Sequence, residues 1–267
     1  EGARAPGSYS GLTVPARSTR VIDLGAPGAG AQGEPVLAVS VETTRGRIVV
    51  SRFQRFLGGG RLGTQVSLAA PAPRDQWWFA NGRRGDGYTE SYAIYNPTDE
   101  DVQVDPILLF VDGAFPGDPI DVPAKEVVVF DPATLEGLPN GTYSAVFSTL
   151  AAESVIVERS TTQVLDEQTG TSVLAGATPR SDGFYATTWY VPMGPAEPTI
   201  AALVIHNADN AEGTVTVSAL GADGPVPVPG LERIVLPIAQ RITVALTDPL
   251  VLNRPIVIES TNRVFVE

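Results

Sequence analysis

The chain has 267 residues, no cysteine and a formal net charge of −12. Disulfides and thiolate metal sites are therefore excluded, and nucleic acid is disfavoured, because its phosphates are met by clustered Lys and Arg. Hydrophobic residues at 43% against charged residues at 18% support packed cores rather than disorder. No apolar run approaches the roughly 18 residues that span a bilayer. The sequence begins with Glu1 and shows no secretory leader, so it reads as a processed or cut chain, with any anchor outside it.

In chain order, the first apolar pattern covers residues 12–23, where alternation around 20–24 predicts a half-buried strand. Residues 37–52 then read as two strands joined by a short turn, and residues 53–71 as a glycine-turned hairpin. Trp77-Trp78-Phe79-Ala80 opens a new cycle. It continues through residues 92–97, which end in Asn96-Pro97, to the strand pattern at 120–131. Residues 132–137 predict one short helical turn. Residues 143–159 repeat the two-strand pattern of 37–52, and 164–179 repeat the hairpin. A third cycle opens at Trp189-Tyr190, passes Asn207 and the 234–244 strand pattern, and reaches a third copy of the two-strand pattern at 256–267. Pro15, Pro123 and Pro237 mark equivalent positions. Proline cannot donate to a sheet ladder, so each predicts a strand start or an edge.

Short strands with turn signals every ~8–12 residues predict β-sandwiches. The expected fold is all-β, made of tandem Ig-like sandwich modules with a period of about 110 residues. The division predicted is 1–75 as the back half of a module, 76–184 as a complete module, and 185–267 as a module lacking its last strand. A half sandwich exposes an apolar face and an open edge. Residues 12–75 are therefore expected to pack on the second module or to pair with residues preceding the chain.

Four motifs recur: Trp77-Trp78-Phe79-Ala80-Asn81-Gly82, Asn96-Pro97, Val122-Pro123-Ala124-Lys125 and Val155-Ile156-Val157-Glu158-Arg159. In this it resembles a repeat of unknown function from exported or membrane-anchored proteins of actinobacteria and related bacteria. The third copy departs from the pattern, with Ala208 in place of the turn proline and no arginine after Val266-Glu267. The resemblance implies an extracytoplasmic β-protein and brings no catalytic residues.

His206 is the only histidine, its equivalent is Tyr95, and no Gly-x-Ser-x-Gly elbow is present, so it reads as a packing or turn residue rather than a catalytic base. One histidine without cysteine also makes a zinc centre unexpected. The acidic stretches Asp99-Glu100-Asp101 and Asp209–Glu212 read as solvated hairpin tips, with calcium as the rival. Arg84-Gly85-Asp86 reads as a polar loop rather than an adhesion ligand, and Asn140-Gly141-Thr142 as a sequon only in a eukaryotic secretory route. Arg83 and Arg84 are candidate ligands for a carboxylate or phosphate on an envelope polymer.

Trp77 and Trp78 must point to opposite faces of a strand, and the less buried of them is the candidate for stacking on sugar. The binding candidates are thus Trp78, Arg83 and Arg84; no catalytic residue, metal ligand or cofactor is assigned. The function expected is a non-enzymatic, extracytoplasmic scaffold of a bacterial cell envelope. Its partner is an envelope protein or a cell-wall polysaccharide. The alternatives are a reader of a cell-wall polymer and, below that, a carboxylate-based hydrolase, which needs two facing carboxylates.

Overall fold

The computed structural model describes residues 9–27, 36–58, 61–85, 87–150, 153–165, 168–176, 186–196 and 201–267. It is built almost wholly from antiparallel β-strands. The first is a hairpin, β1 (Ser51–Gly58) with β2 (Arg61–Leu68).

A first sandwich follows. One sheet runs β3 (Gln76–Arg84), β9 (Gly141–Thr149), β5 (Val102–Phe110), β6 (Gly113–Pro116), with β7 (Ile120–Val122) also on β5. The facing sheet runs β11 (Gln168–Ala175), β10 (Ile156–Leu165), β4 (Tyr88–Tyr95), β8 (Val127–Phe130). Alternate residues turn inward, as the pleat demands: Trp77 and Phe79, Tyr92 and Ile94, Val102 and Val104, Tyr143, Ala145 and Phe147. Phe79, Tyr92, Phe130 and Phe147 meet at centroid distances of 4.6–6.2 Å, mostly edge-on or tilted, the geometry that ring quadrupoles favour.

The second sandwich has β12 (Thr188–Val191), β18 (Ile256–Ser260), β14 (Gly213–Gly221) and β15 (Gly224–Pro227) in one sheet, with β16 (Ile234–Leu236) also on β14. Its other sheet is β17 (Arg241–Ala245), β13 (Ala202–Asn207), β19 (Val264–Val266). The partnerships of β14 with β15, β16 and β18 match those of β5 with β6, β7 and β9. Its core is largely aliphatic, with Leu203, Ile205, Val217, Leu236, Ile256 and Ile258 at the centre.

The turns explain the recurring prolines. Arg17, Lys125 and Ala239 each hold positive φ two residues after Pro15, Pro123 and Pro237. Ser18 and Glu126 each donate their N–H to the proline carbonyl that precedes them, at 3.2 and 3.1 Å. Each proline stands at the entry of a tight turn, one residue before its first corner, and the residue at the second corner takes the positive φ. In the sandwiches that turn lies between two strands rather than at the start of one. The expected helical turn is a 3₁₀ turn at Pro132–Thr134, with Asp131 accepting from the Ala133 N–H at 2.8 Å, and a second lies at Pro249–Val251.

The first segment departs from expectation. Residues 9–27 and 36–50 contain no strand, and Val21, Val39 and Val49 stand exposed. The strands predicted at 20–24 and across 37–50 are therefore corrected. A strand persists only where a neighbour takes its N–H and C=O groups. In the first sandwich the equivalent strands β9 and β10 lie beside β3, β5 and β4. Among the described residues before Ser51, no strand is available for that role. The hairpin β1–β2 does form, and it packs on the first sandwich through Arg52 and Glu158 at 2.8 Å.

Asn96 and Asn207, both fully buried, hold the loops that follow β4 and β13. The Asn96 amide donates to the carbonyls of Glu100 at 2.7 Å and Val122 at 3.0 Å, while its oxygen accepts from Thr98 N–H at 2.9 Å. The Asn207 amide donates to Ala211 and Pro237, both at 2.9 Å. Asn96→Ala should leave two carbonyls without these donors and lower stability by about 1–3 kcal/mol. A thermal melt should register this as a drop of several degrees, and an unchanged melt would contradict the role.

Candidate functional site

The site begins with a break in register. β3 pairs with β9 residue for residue up to Phe79, then shifts and resumes at Gly82. Such a bulge re-aims backbone groups that a regular ladder would consume. The Ala80 carbonyl accepts from the Ser144 hydroxyl at 3.0 Å, and the Asn81 carbonyl from Arg159 at 2.6 Å. The Gly82 carbonyl accepts from Arg241, at 3.3 Å. A Cβ on Gly82 would lie 2.3 Å from the Tyr143 ring, so only glycine lets that ring close over the strand.

The second sandwich meets the bulge with three side chains. Arg241 on β17 reaches the Gly82 and Tyr143 carbonyls, both at 3.3 Å. Glu267 accepts from the Asn81 N–H at 2.9 Å and pairs with Arg159 at 3.1 Å, with both side chains largely buried. Phe265 on β19 stacks on Trp78, centroids 4.6 Å apart and planes within 10°. His206 lies 5.2 Å from the same indole. The outer side of the β13–β19 pairing is thereby buried as deeply as its inner side: His206 and Phe265 are 1% and 2% exposed.

Behind the bulge sits Glu90 on β4, 5% exposed. One of its oxygens accepts from the hydroxyls of Tyr92 and Tyr143, each at 2.6 Å, and the other from the Arg83 N–H at 3.4 Å. Burial raises its pKa above the usual carboxylate range, and Arg159 and the two tyrosines offset part of that rise. Burial and the adjoining carboxylate push both tyrosines up, so they remain protonated donors. Burial, seconded by Arg241, lowers His206 to about 4. Its Nδ1 has no hydrogen-bond partner among the described residues.

A small cavity of about 80 Å³ opens over this group, lined by Arg83, Arg84, Tyr88, Glu90, Asp131 and Tyr143 among others. The Arg83 guanidinium lies 4.5 Å above the Tyr88 ring, and Arg84 donates to the Leu138 carbonyl. Asp131 is engaged at the 3₁₀ turn. The chemistry available is recognition of a small polar group: guanidinium donors at the wall, phenols and a carboxyl at the floor.

Of the binding candidates read from sequence, Arg83 and Arg84 share this cavity. Trp78 does not; its ring is taken up by Phe265. The two tryptophans do point opposite ways, Trp77 into the core with its indole N–H on the Val155 carbonyl at 2.8 Å. The acidic tips are engaged as well. Lys125 pairs with Asp99 at 3.1 Å, Asp101 accepts from Ala124 N–H at 2.9 Å, and Asp209 pairs with Arg263. No group of three or more metal-ligating side chains occurs among the described residues. Asp86 of the Arg-Gly-Asp stretch lies outside them.

Sequence reading missed Glu90, Tyr143, Arg159, Arg241 and Glu267. A signal existed for two of them. Glu90 shares the inward parity of Tyr92 and Ile94, and Arg159 that of Val155 and Val157, so each is a charge at a core-facing position.

Fold and junction together define a pair of antiparallel β-sandwiches joined face to edge by a buried polar and aromatic contact. The chain belongs to a family of unknown function (DUF5719), whose model matches residues 60–249. No curated protein matches it. A crystal structure of Thermotoga maritima 1070 is similar at 18% identity, covering 39% of this chain and 94% of that one, with a TM-score of 0.36. No helix among the described residues is long and apolar enough to cross a membrane.

The histidine carries a pH signature. Its folded pKa lies below the unfolded value of about 6.5, so between these values the unfolded chain binds the extra proton. Stability therefore falls as pH drops from about 6.5 towards 4, by at most about 3 kcal/mol. His206→Phe should flatten that part of the stability profile, measured by denaturant unfolding across the range. An unchanged slope would show that acid destabilisation arises elsewhere.

Proposed function

We propose that this chain is a non-enzymatic scaffold of a bacterial cell envelope, working outside the cytoplasm and built from tandem sandwich modules with a period of about 110 residues. The observation that carries the reading is the junction. Arg159, Glu267, Arg241 and the Trp78–Phe265 stack join the two sandwiches through groups buried on both sides. Backbone carbonyls and buried charges accept few alternative geometries, since a misaligned charge stays desolvated and unpaired. A joint of this kind holds two modules at one angle, as a spacer or a presenting scaffold requires. The matching β5 and β14 partnerships support the repeat. The extracytoplasmic setting rests on the resemblance of the repeat to those of exported proteins.

Spin labels on Glu259 and Asp121, exposed positions in the two sandwiches, test this reading by pulsed dipolar spectroscopy. A single narrow distance distribution is expected, broadened several-fold by Trp78→Ala combined with Glu267→Gln. A broad distribution in the unaltered chain would overturn the rigid-scaffold reading.

A second reading has its own support in the cavity beside Arg83 and Arg84, which suits a carboxylate or phosphate of a wall polymer better than the covered face of Trp78 suits a sugar. Co-sedimentation with insoluble wall material should then fall several-fold in the Arg83→Ala, Arg84→Ala double variant and stay unchanged in Tyr190→Ala. Absence of pelleting by the unaltered chain would remove this reading and leave the scaffold standing.

A further inference from the structure

The break in register between β3 and β9 has a twin in the second sandwich. β12 pairs with β18 residue for residue up to Val191 and Ile256, after which the Gly194 N–H donates to the Arg254 carbonyl at 2.7 Å. Pro192 and Met193 thus stand against Pro255 alone, as Ala80 and Asn81 stand against Ser144. The flanking residues correspond as well. Trp77 and Trp189 each donate an indole N–H to a carbonyl, of Val155 at 2.8 Å and of Val264 at 2.9 Å. Gly194 holds the place of Gly82, and a Cβ on it would collide with the Val251 carbonyl. Tyr190 is then the counterpart of Trp78, and Met193 that of Asn81.

The two bulges differ in what covers them. Trp78 lies under Phe265 and His206, and the Asn81 N–H meets Glu267. Tyr190 and Met193 are 70% and 64% exposed. A bare ring and thioether beside re-aimed backbone groups mark an association surface.

The chain also carries the kind of surface that fits such a bulge. His206, Phe265 and Arg241 sit at paired positions on β13, β19 and β17. Tyr95, Ile156 and Val127 sit at the same paired positions on β4, β10 and β8. Glu158 stands two residues after Ile156, as Glu267 stands two after Phe265. Each carboxylate is met by an arginine from a hairpin of the preceding repeat, Arg52 at 2.8 Å and Arg159 at 3.1 Å. Those arginines are themselves counterparts, in the pairs Arg52–Ser67 and Arg159–Leu174 of the two hairpins. On the first sandwich, however, no bulged strand lies beside this ion pair among the described residues. His206 and Phe265 are 1% and 2% exposed, whereas Tyr95, Val127 and Ile156 are only half-buried. Val129, next on the same side of β8, is 46% exposed.

We infer that the Tyr190–Met193 bulge is a docking site for the outward side of β4, β8 and β10 in a second copy of this chain, repeating between molecules the joint made within one. The inference deepens the scaffold reading and rests on its repeat, not on the envelope setting. Tyr190 takes Ile156 and Tyr95 of the other copy, as Trp78 takes Phe265 and His206. Arg52, already seated on Glu158, travels with that face and supplies the guanidinium that Arg159 supplies within the chain. The two faces differ, so association runs head to tail and does not close at a dimer.

Sedimentation velocity on the full chain tests this. The unaltered chain should show a mass that climbs with concentration past that of a dimer. Met193→Glu and Val129→Glu, both at exposed positions, should each leave a monomer with an unchanged melt, because each puts an unpaired charge into one half of the contact. Mixed in equal amounts, the two variants should form dimers that grow no further, since each pair holds one intact bulge and one intact outward face. A monomer at every concentration, growth that stops at a dimer in the unaltered chain, or a variant mixture that stays monomeric would overturn the inference. A narrow distance distribution between Glu259 and Asp121 in a strictly monomeric chain would sink this inference alone and leave the scaffold reading standing.

Discussion

The constraint on which the structure depends is the break in step between β3 and β9 at Ala80-Asn81. A regular ladder would turn these peptide groups into its own hydrogen bonds. The bulge instead presents the Asn81 carbonyl and N–H and the Gly82 carbonyl to side chains from elsewhere, Arg159, Glu267 and Arg241. Removing the bulge would leave two guanidinium groups and a carboxylate partly desolvated without the backbone groups that satisfy them, a situation costly in any medium of low polarity. The same irregularity gives Tyr143 its place over Gly82, and Tyr143 in turn gives Glu90 one of its two phenolic donors.

Buried charge here contributes more to geometry than to net stability. The attraction between Arg159 and Glu267 is offset by the loss of hydration of both, so an apolar pair of similar volume would hold the sandwiches together about as well. An apolar pair would also tolerate sliding, which the paired and hydrogen-bonded ions do not. Glu90 and His206 bias the same region in opposite senses. Raised in the folded state, the Glu90 carboxyl favours the native chain on its acidic side; lowered in the folded state, the imidazole disfavours it there.

Much of the fold was legible in the sequence because it follows from local rules. Alternation marked the strands of the two sandwiches, and glycines marked the hairpins. The failures share one cause. Residues 20–24 and 37–50 carry good strand patterns, yet a strand is a property of a ladder, and no described neighbour supplies one. Trp78 likewise read as a candidate platform from its parity, which correctly turned it away from the core. Parity could not say that Phe265, distant in sequence, would cover it.

The sequence by itself determined the class of structure: periodicity of two, turn chemistry and inward-facing rings leave antiparallel sandwiches as the arrangement that buries those side chains. It also placed Glu90 and Arg159 on inward-facing positions, a warning of buried charge that only their partners could explain. The tertiary structure alone decided that Glu90 is held by Tyr92 and Tyr143, that Arg159 is answered by Glu267, and that His206 is buried against an indole from another sandwich. Those outcomes depend on which surfaces meet. Residues far apart along the chain share no local pattern that would announce the meeting, because the energy of a contact between them appears only once both sheets are built.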